Sequence, residues 1–358
     1  LDSSYVFVGR EDTGIFTQTG GTHSVSNDLN IGINSGSSGT YNLSGGTNSV
    51  SNNLNIGINS GSSGTYNLSG GTHSVSNNLQ IGVHSGSSGT YTISGGTLNV
   101  NGNITDGAGA SILNNDGGTL NVGGTIDVDT YGLGITSGSN VSHTTATTPN
   151  LTFDNLNVGG AGTGTFTHSD GSTLGVTDLR LGVDSGGSGT YNLSGTGNLT
   201  ASSVLVGTSG SGLFTQSGGA NNISSGLILG DQAGGSGTYN LSGTGSSLSS
   251  NFEYVGLDGN GTFTQSGGTH AITNFLHVGR RSTGTFNLSG GSLSTDLEFV
   301  GHEGTGTFNQ TGGTHTVTNE LSLGGLSGGS GTYTISNGTL NVSGNIVDGA
   351  GASTFNND

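Results

Sequence analysis

Cysteine, methionine, tryptophan and lysine are absent from these 358 residues, proline occurs once, and only 7% of the chain is charged. Each absence excludes something. Without cysteine there is neither a disulfide scaffold nor a thiolate metal site, a pattern compatible with secretion. Without lysine, the cations are Arg10, Arg180, Arg280 and Arg281, set against 21 acids for a net charge of −17. A polyanion with no basic patch gains nothing from counterion release, so nucleic acid is not an expected partner, and anionic membrane surfaces are disfavoured on the same ground. No apolar run approaches the ~18 residues a membrane span needs, and the opening LDSSYVFVGRED is not a signal peptide. With no initiator methionine, the expectation is a processed product or an excerpt from a longer chain.

What is abundant is glycine, 76 residues. Interior glycine costs a helix roughly 0.5–1 kcal/mol relative to alanine, which rules out a helical domain. Collagen fails because glycine is not every third residue and Pro149 stands alone. A hydrophobic content of 28% would ordinarily suggest disorder, but disordered chains stay soluble through charge, and charge is scarce here.

The resolution lies in self-similarity. The segment LNIGINSGSSGTYNLSGGTNSVSNN recurs almost verbatim, and its Gly-Thr-aromatic element places Tyr41, Tyr66 and Tyr91 at intervals of 25 residues. Weaker copies carry Phe16, Phe166, Tyr191, Phe214, Tyr239, Phe263, Phe286, Phe308 and Tyr333, with an average spacing of about 24.4 residues from Phe16 to Tyr333. Leu113 and Phe355 fill the same slot in two variants that share DGAGAS and NND. Each unit, such as 54–78, holds three short alternating runs, Leu54-x-Ile56, Tyr66-x-Leu68 and Thr72–Val75, bounded by Gly, Ser and Asn. Three strands and three corners describe one coil of a solenoid.

The expected fold is all-β, a parallel β-solenoid (β-helix) of about 14–15 coils with roughly 24–25 residues and three short strands each, rising ~4.8 Å per coil to a rod on the order of 70 Å. The competing propeller needs blades of ~40–50 residues with four strands each. Residues 1–123 read as regular coils, 124–155 as an irregular copy or insertion continuous with the solenoid, and 156–358 as coils with a two-coil super-repeat. About five glycines per coil are expected at positive-φ corners. The expected stacking core includes Tyr41, Leu43, Leu54, Ile56, Tyr66, Leu68, Val75, Leu79, Ile81 and Tyr91.

Two polar columns stand out. The slot two residues after the aromatic reads Gln18, then His168, Gln216, Gln265 and Gln310, alternating from 166 onward with Leu or Ile. A buried amide there needs a backbone partner at a corner or a trapped water. The slot after GGT reads His23, Asn48, His73 and later His270 and His315, read as hydrogen-bonded structural histidines; a metal would need ligands in one shell, and these lie two coils apart. In the variable loop after the third strand, Asp258 should stack with Arg280, and Arg281 with Glu303. LDGNG at 257–261 is a fragment of the calcium nonapeptide, which leaves Asp258 and Glu303 as weak calcium candidates and otherwise no cofactor. Carboxylates are not clustered with a lysine or arginine, and no nucleophile elbow occurs in a strand-to-helix setting, so no enzymatic activity is expected.

The units GTYNLSGGTNSVSNNLNIG and GTYTISGGTLNVNGNI resemble the Gly/Ser/Thr/Asn-rich tandem repeats of large bacterial surface proteins, both autotransporter-passenger-like adhesins and PEP-CTERM-type repeat proteins. The resemblance covers nearly all of the chain outside 124–155 and implies an extracellular or cell-surface location in a bacterium. Both termini read as interrupted repeats: Leu1–Gly9 matches Leu293–Gly301, and Asn356–Asp358 matches Asn114–Asp116. With Leu1, Tyr5, Phe7, Phe355 and Asp358 at uncapped coil faces, the expectation is a surface filament or biofilm-matrix fibre. It would form by head-to-tail self-association or as one window of a very long chain. Two alternatives stand beside it: an adhesin stalk holding a glycan or a host surface through 124–155 or the edge loop, and an ice binder using outward Thr40, Thr65 and Thr90.

Overall fold

The computed structural model describes residues 1–145, 150–169 and 171–358, and these contain strands and turns but no helix. Pro149 lies outside the described residues. The chain is a parallel β-solenoid of about 15 turns. It divides into two compact units, Leu1–Leu156 and Asn157–Asp358.

In the first unit a representative coil runs through an aromatic strand, Ser63–Leu68, a second strand, Thr72–Val75, and a third, Leu79–Ile81. Each pairs in parallel with its equivalent in neighbouring coils without slippage: Tyr66 is level with Tyr41 and Tyr91, Val75 with Val50 and Val100, and Leu79 with Leu54. The period of two turns Tyr66 and Leu68 inward and leaves Thr65 and Asn67 at the surface. All ten residues of the expected core are buried. Rings in the aromatic column stack with centroids 4.7–4.8 Å apart from Phe16 through Tyr91.

The backbone ladder continues through the corners. Ser69 N–H donates to Leu43 O, Thr72 N–H to Gly46 O, and Gly82 N–H to Ile56 O, at 2.8–2.9 Å. The Ser-Asn-Asn corner explains its own composition, because Asn53 Oδ1 accepts from Asn78 N–H and Asn78 Oδ1 from Asn103 N–H, at 3.1 and 2.9 Å. Glycine has two roles rather than the single one expected. Gly57 and Gly71 have φ of 69° and 78°, but Gly64 sits inside a strand with no positive φ. A Cβ at Gly64 would lie 2.5 Å from Ile31 O and Gly57 N, so the requirement there is close backbone approach.

The second unit keeps the aromatic strand (Ser188–Leu193, for example) but in most coils joins the second and third strands into one, as in Thr173–Leu181, Ser247–Val255 and Thr269–Val278. The register shift between Ser250 and Phe252 marks where the corner was. Its aromatic column runs from Phe166 to Phe355 with centroids 4.5–5.4 Å apart.

Part of the irregular copy belongs to the regular columns. Strand Ile126–Leu133 pairs Ile126 with Ile104 and Tyr131 with Leu113, so one straight strand covers the third-strand slot and the aromatic slot with the corner loop deleted. Thr144 ends the strand that follows, Asn140–Thr144, which buries Val141 and His143.

Candidate functional site

Polar side chains inside the coils form a repeated node. In the first unit, Tyr41 Oη donates to Gln18 Oε1 at 2.7 Å, and His23 Nδ1 lies 3.0 Å from the same hydroxyl. In the second, Tyr333 Oη donates to Gln310 Oε1 at 2.7 Å with His315 Nδ1 2.9 Å away, and Tyr239 Oη donates to Gln216 Oε1 at 2.6 Å while accepting from Asn221 Nδ2. The glutamine amides reach corner carbonyls as expected: Gln216 Nε2 donates to Gly219 O and Ser247 O. The tyrosine partner was not foreseen, although the sequence shows it: the Phe-x-Gln runs of Gln18, Gln216 and Gln310 are each followed one coil later by a tyrosine, Tyr41, Tyr239 and Tyr333. His168 takes the glutamine's place once, 2.7 Å from Tyr191 Oη.

One node is incomplete. Phe286 stands where the hydroxyl should be, and Gln265 Oε1 and His270 Nδ1 are both buried without a partner. Burial lowers the pKa of His73 to about 3 and that of His143 to about 4, and drives the buried tyrosines upward.

Two carboxylates also lie in the core. Glu253 Oε1 is 2.8 Å from His270 Nε2 and accepts from Ser250 Oγ, with both members of the pair fully buried. Glu298 and His315 repeat the contact at 2.8 Å without hydrogen-bond alignment. Column reading missed them, yet Glu precedes His by 17 residues in both copies, and Glu alternates with Leu227, Leu276 and Leu321 in one inward column. Desolvating such pairs is expensive, and each glutamate meets its histidine only with the coils stacked in the observed order.

At the edge, the calcium candidates face arginines. Arg281 grips Asp258 with two bonds of 2.6 and 2.7 Å, which holds the carboxyl below its ordinary pKa, and Arg280 pairs with Glu303. The expected partners are therefore exchanged by one residue. Among the described residues no three His, Asp or Glu side chains converge as a metal site. Burial and the neighbouring Asp127 and Asp129 raise the pKa of Asp106 to about 6.

The other residues singled out by sequence are exposed or shallow. Leu1, Tyr5, Phe7 and Phe355 are 71, 53, 51 and 40% exposed, and Arg10 lies 5.5 Å over the Phe7 ring. Asp358 continues the ladder, its N–H donating to Ile335 O at 3.0 Å. A groove of about 310 Å³ near the irregular copy is lined by Asn115, Thr119, Asn140 and His143, with no carboxylate or arginine among the described lining residues.

The largest departure from the repeat is on an outer face. In the first unit the outward column of the third strand begins with Phe7 and is then polar, with Asn30, Asn55 and Gln80 level and Asn55 Nδ2 donating to Asn30 Oδ1 at 2.8 Å. The corresponding column of the second unit reads Leu205, Ile228, Tyr254, His277 and Phe299 between Arg180 and Ser322, beside a second column of Phe252, Phe275 and Leu297 that ends at Glu320. FEYV, FLHV and LEFV carry the signal, set against LNI and LQI at Leu29–Ile31, Leu54–Ile56 and Leu79–Ile81; the first copy, VFV, is the exception in that unit.

Compared with known proteins, the chain matches no family model, no curated protein and no solved structure. The resemblance to bacterial surface repeats therefore rests on the repeat units themselves.

Proposed function

We propose that the chain is an extracellular structural protein of a bacterial surface, a β-solenoid segment of a self-associating filament or matrix fibre. The observation that carries this reading is the equivalence of successive coils. Tyr41, Tyr66 and Tyr91 stack in register, and each coil presents to the next the same ladder and the same ring column. A coil face that fits its neighbour within the chain fits the equivalent face of another copy, so the contact is heterologous and propagates into a filament. Ladder hydrogen bonds run from coil to coil and include the corners, so tension along the stack loads many bonds together. The polar exterior of Thr, Ser and Asn and the net charge of −17 keep such a chain hydrated outside a cell.

Negative-stain imaging of the purified chain at rising concentration tests this. Filaments that lengthen with concentration are expected; discrete particles of constant size throughout would reject the reading.

A further inference from the structure

The apolar face of the second unit is built, not incidental. Phe252 packs on Phe275 at 5.3 Å, and Tyr254, His277 and Phe299 form a stack with centroids 5.4 and 4.5 Å apart. Gly226 makes room for it: a Cβ there would lie 2.3 Å from the Phe252 ring. His277 at the centre is only 8% exposed although it points outward, and its Nδ1 has no partner. Burial, with His302 and Arg280 close by, lowers its pKa to about 3. The surrounding aromatic and aliphatic side chains are half-buried, on a strand face that three successive coils of the first unit cover with Asn30, Asn55 and Gln80.

We propose that this face is the side-to-side docking surface for a second copy of the chain. The proposal rests on the self-association reading above and names the lateral contact. Charge selects the occupant. Two copies of a −17 chain repel, and they approach most easily where charge cancels. Along this face Arg180 meets Asp178, Arg280 meets Glu303 and Arg281 meets Asp258, so three of the four cations of the chain are spent neutralising its border, and Glu320, level with Leu297, bounds the neutral stretch at one end. Ring geometry selects against a polysaccharide. A sugar stacks on a free aromatic face, but here the faces lie against one another and against Gly226, leaving edges outward. Ring edges prefer the faces and methyl groups of another protein surface. An antiparallel two-fold arrangement sets the Leu205 and Ile228 end of one stripe against the Leu297 and Phe299 end of the other, the self-complementarity that an isologous contact needs. The stripe is narrow, so each contact is weak singly and gains strength by repetition along a filament.

Sedimentation of the full chain over a wide concentration range, at low and raised salt, tests the proposal. The wild type is expected to associate reversibly and more tightly as salt screens the repulsion. The variant Tyr254→Asn/Phe275→Asn/Phe299→Asn, which copies the amides of the first unit, should weaken association about tenfold or more. Asn274→Glu, an exposed charge beside Phe275, should do the same without touching a packed ring. A wild type that stays monomeric at every concentration and salt overturns the proposal, as does retention of such monomers on insoluble polysaccharide. Equal association of wild type and variants also overturns it, while leaving filament growth by coil stacking intact. Loss of association in the variants, with no elongated assemblies of the wild type in micrographs, supports this contact and removes the filament reading.

Discussion

The two units carry one interior and two exteriors. Inside, both stack aromatic rings under 5.5 Å apart and tie tyrosine hydroxyls to a glutamine or histidine of the preceding coil. Outside, the same third-strand column is an amide ladder at Asn30 and Asn55 and an aromatic stack at Tyr254, His277 and Phe299. A solenoid constrains its inward residues through every neighbouring coil, whereas an outward column answers only to solvent and partners. The face that changes is therefore the face open to a function of its own.

The shared interior is easiest to break at its narrowest point. A Cβ at Gly89 would lie 2.6 Å from Ile56 O, and one at Gly237 would lie 2.0 Å from Val206 O. Gly89→Ala and Gly237→Ala should each cost ~3 kcal/mol in urea unfolding, and a large loss in only one of them would break the equivalence. Next, Tyr239→Phe strands Gln216 Oε1 and Asn221 Nδ2 and should cost about 2 kcal/mol.

Acid distinguishes residues that share a slot. His73 is neutral in the folded coil, with its pKa lowered from 6.5 to about 3, so the unfolded chain takes up the proton first. The stability this site contributes is complete above pH ~6.5 and falls by about 1.4 kcal/mol per pH unit as pH drops toward 3. His73→Leu, which installs the residue that Leu98 supplies one coil later, should flatten that acid limb in thermal melts recorded from pH 7 to 4, and an unchanged limb would show that His73 does not carry it. Smaller still, Phe286→Tyr should place a hydroxyl between Gln265 Oε1 and His270 Nδ1 and raise stability by about 1 kcal/mol in the same urea unfolding. At the bottom of the scale, Arg281→Ala should change stability by less than ~1 kcal/mol, because its pair with Asp258 is exposed.

Much of this was legible in the sequence, for a physical reason. Periods of two within strands and of about 24 between coils are properties of the repeat, so Tyr66, Leu68 and Ile81 could be turned inward without coordinates. What escaped were relations between coils that are not repeats of one residue. The tyrosine hydroxyl that meets Gln18 comes from the next coil, and the glutamate facing His270 lies 17 residues earlier on another strand. Glycine was read only as a corner residue, because close approach at Gly64 is a property of stacked backbones. Ile126–Leu133 resisted alignment because deleting a corner removes the punctuation that marks a coil. The outer aromatic stripe was present in FEYV, FLHV and LEFV, but Glu253 and Glu298 point inward there while Phe252, Tyr254, Leu297 and Phe299 point outward, so the usual assignment of polar residues to the surface is inverted.

X-ray diffraction from aligned assemblies of the purified chain tests the structural-filament account most directly. The account predicts a sharp ~4.8 Å reflection along the fibre axis, with coils stacking from one copy to the next in the direction they stack within it. A ~4.8 Å reflection perpendicular to the fibre axis, or no ordered assembly at any concentration, would contradict it.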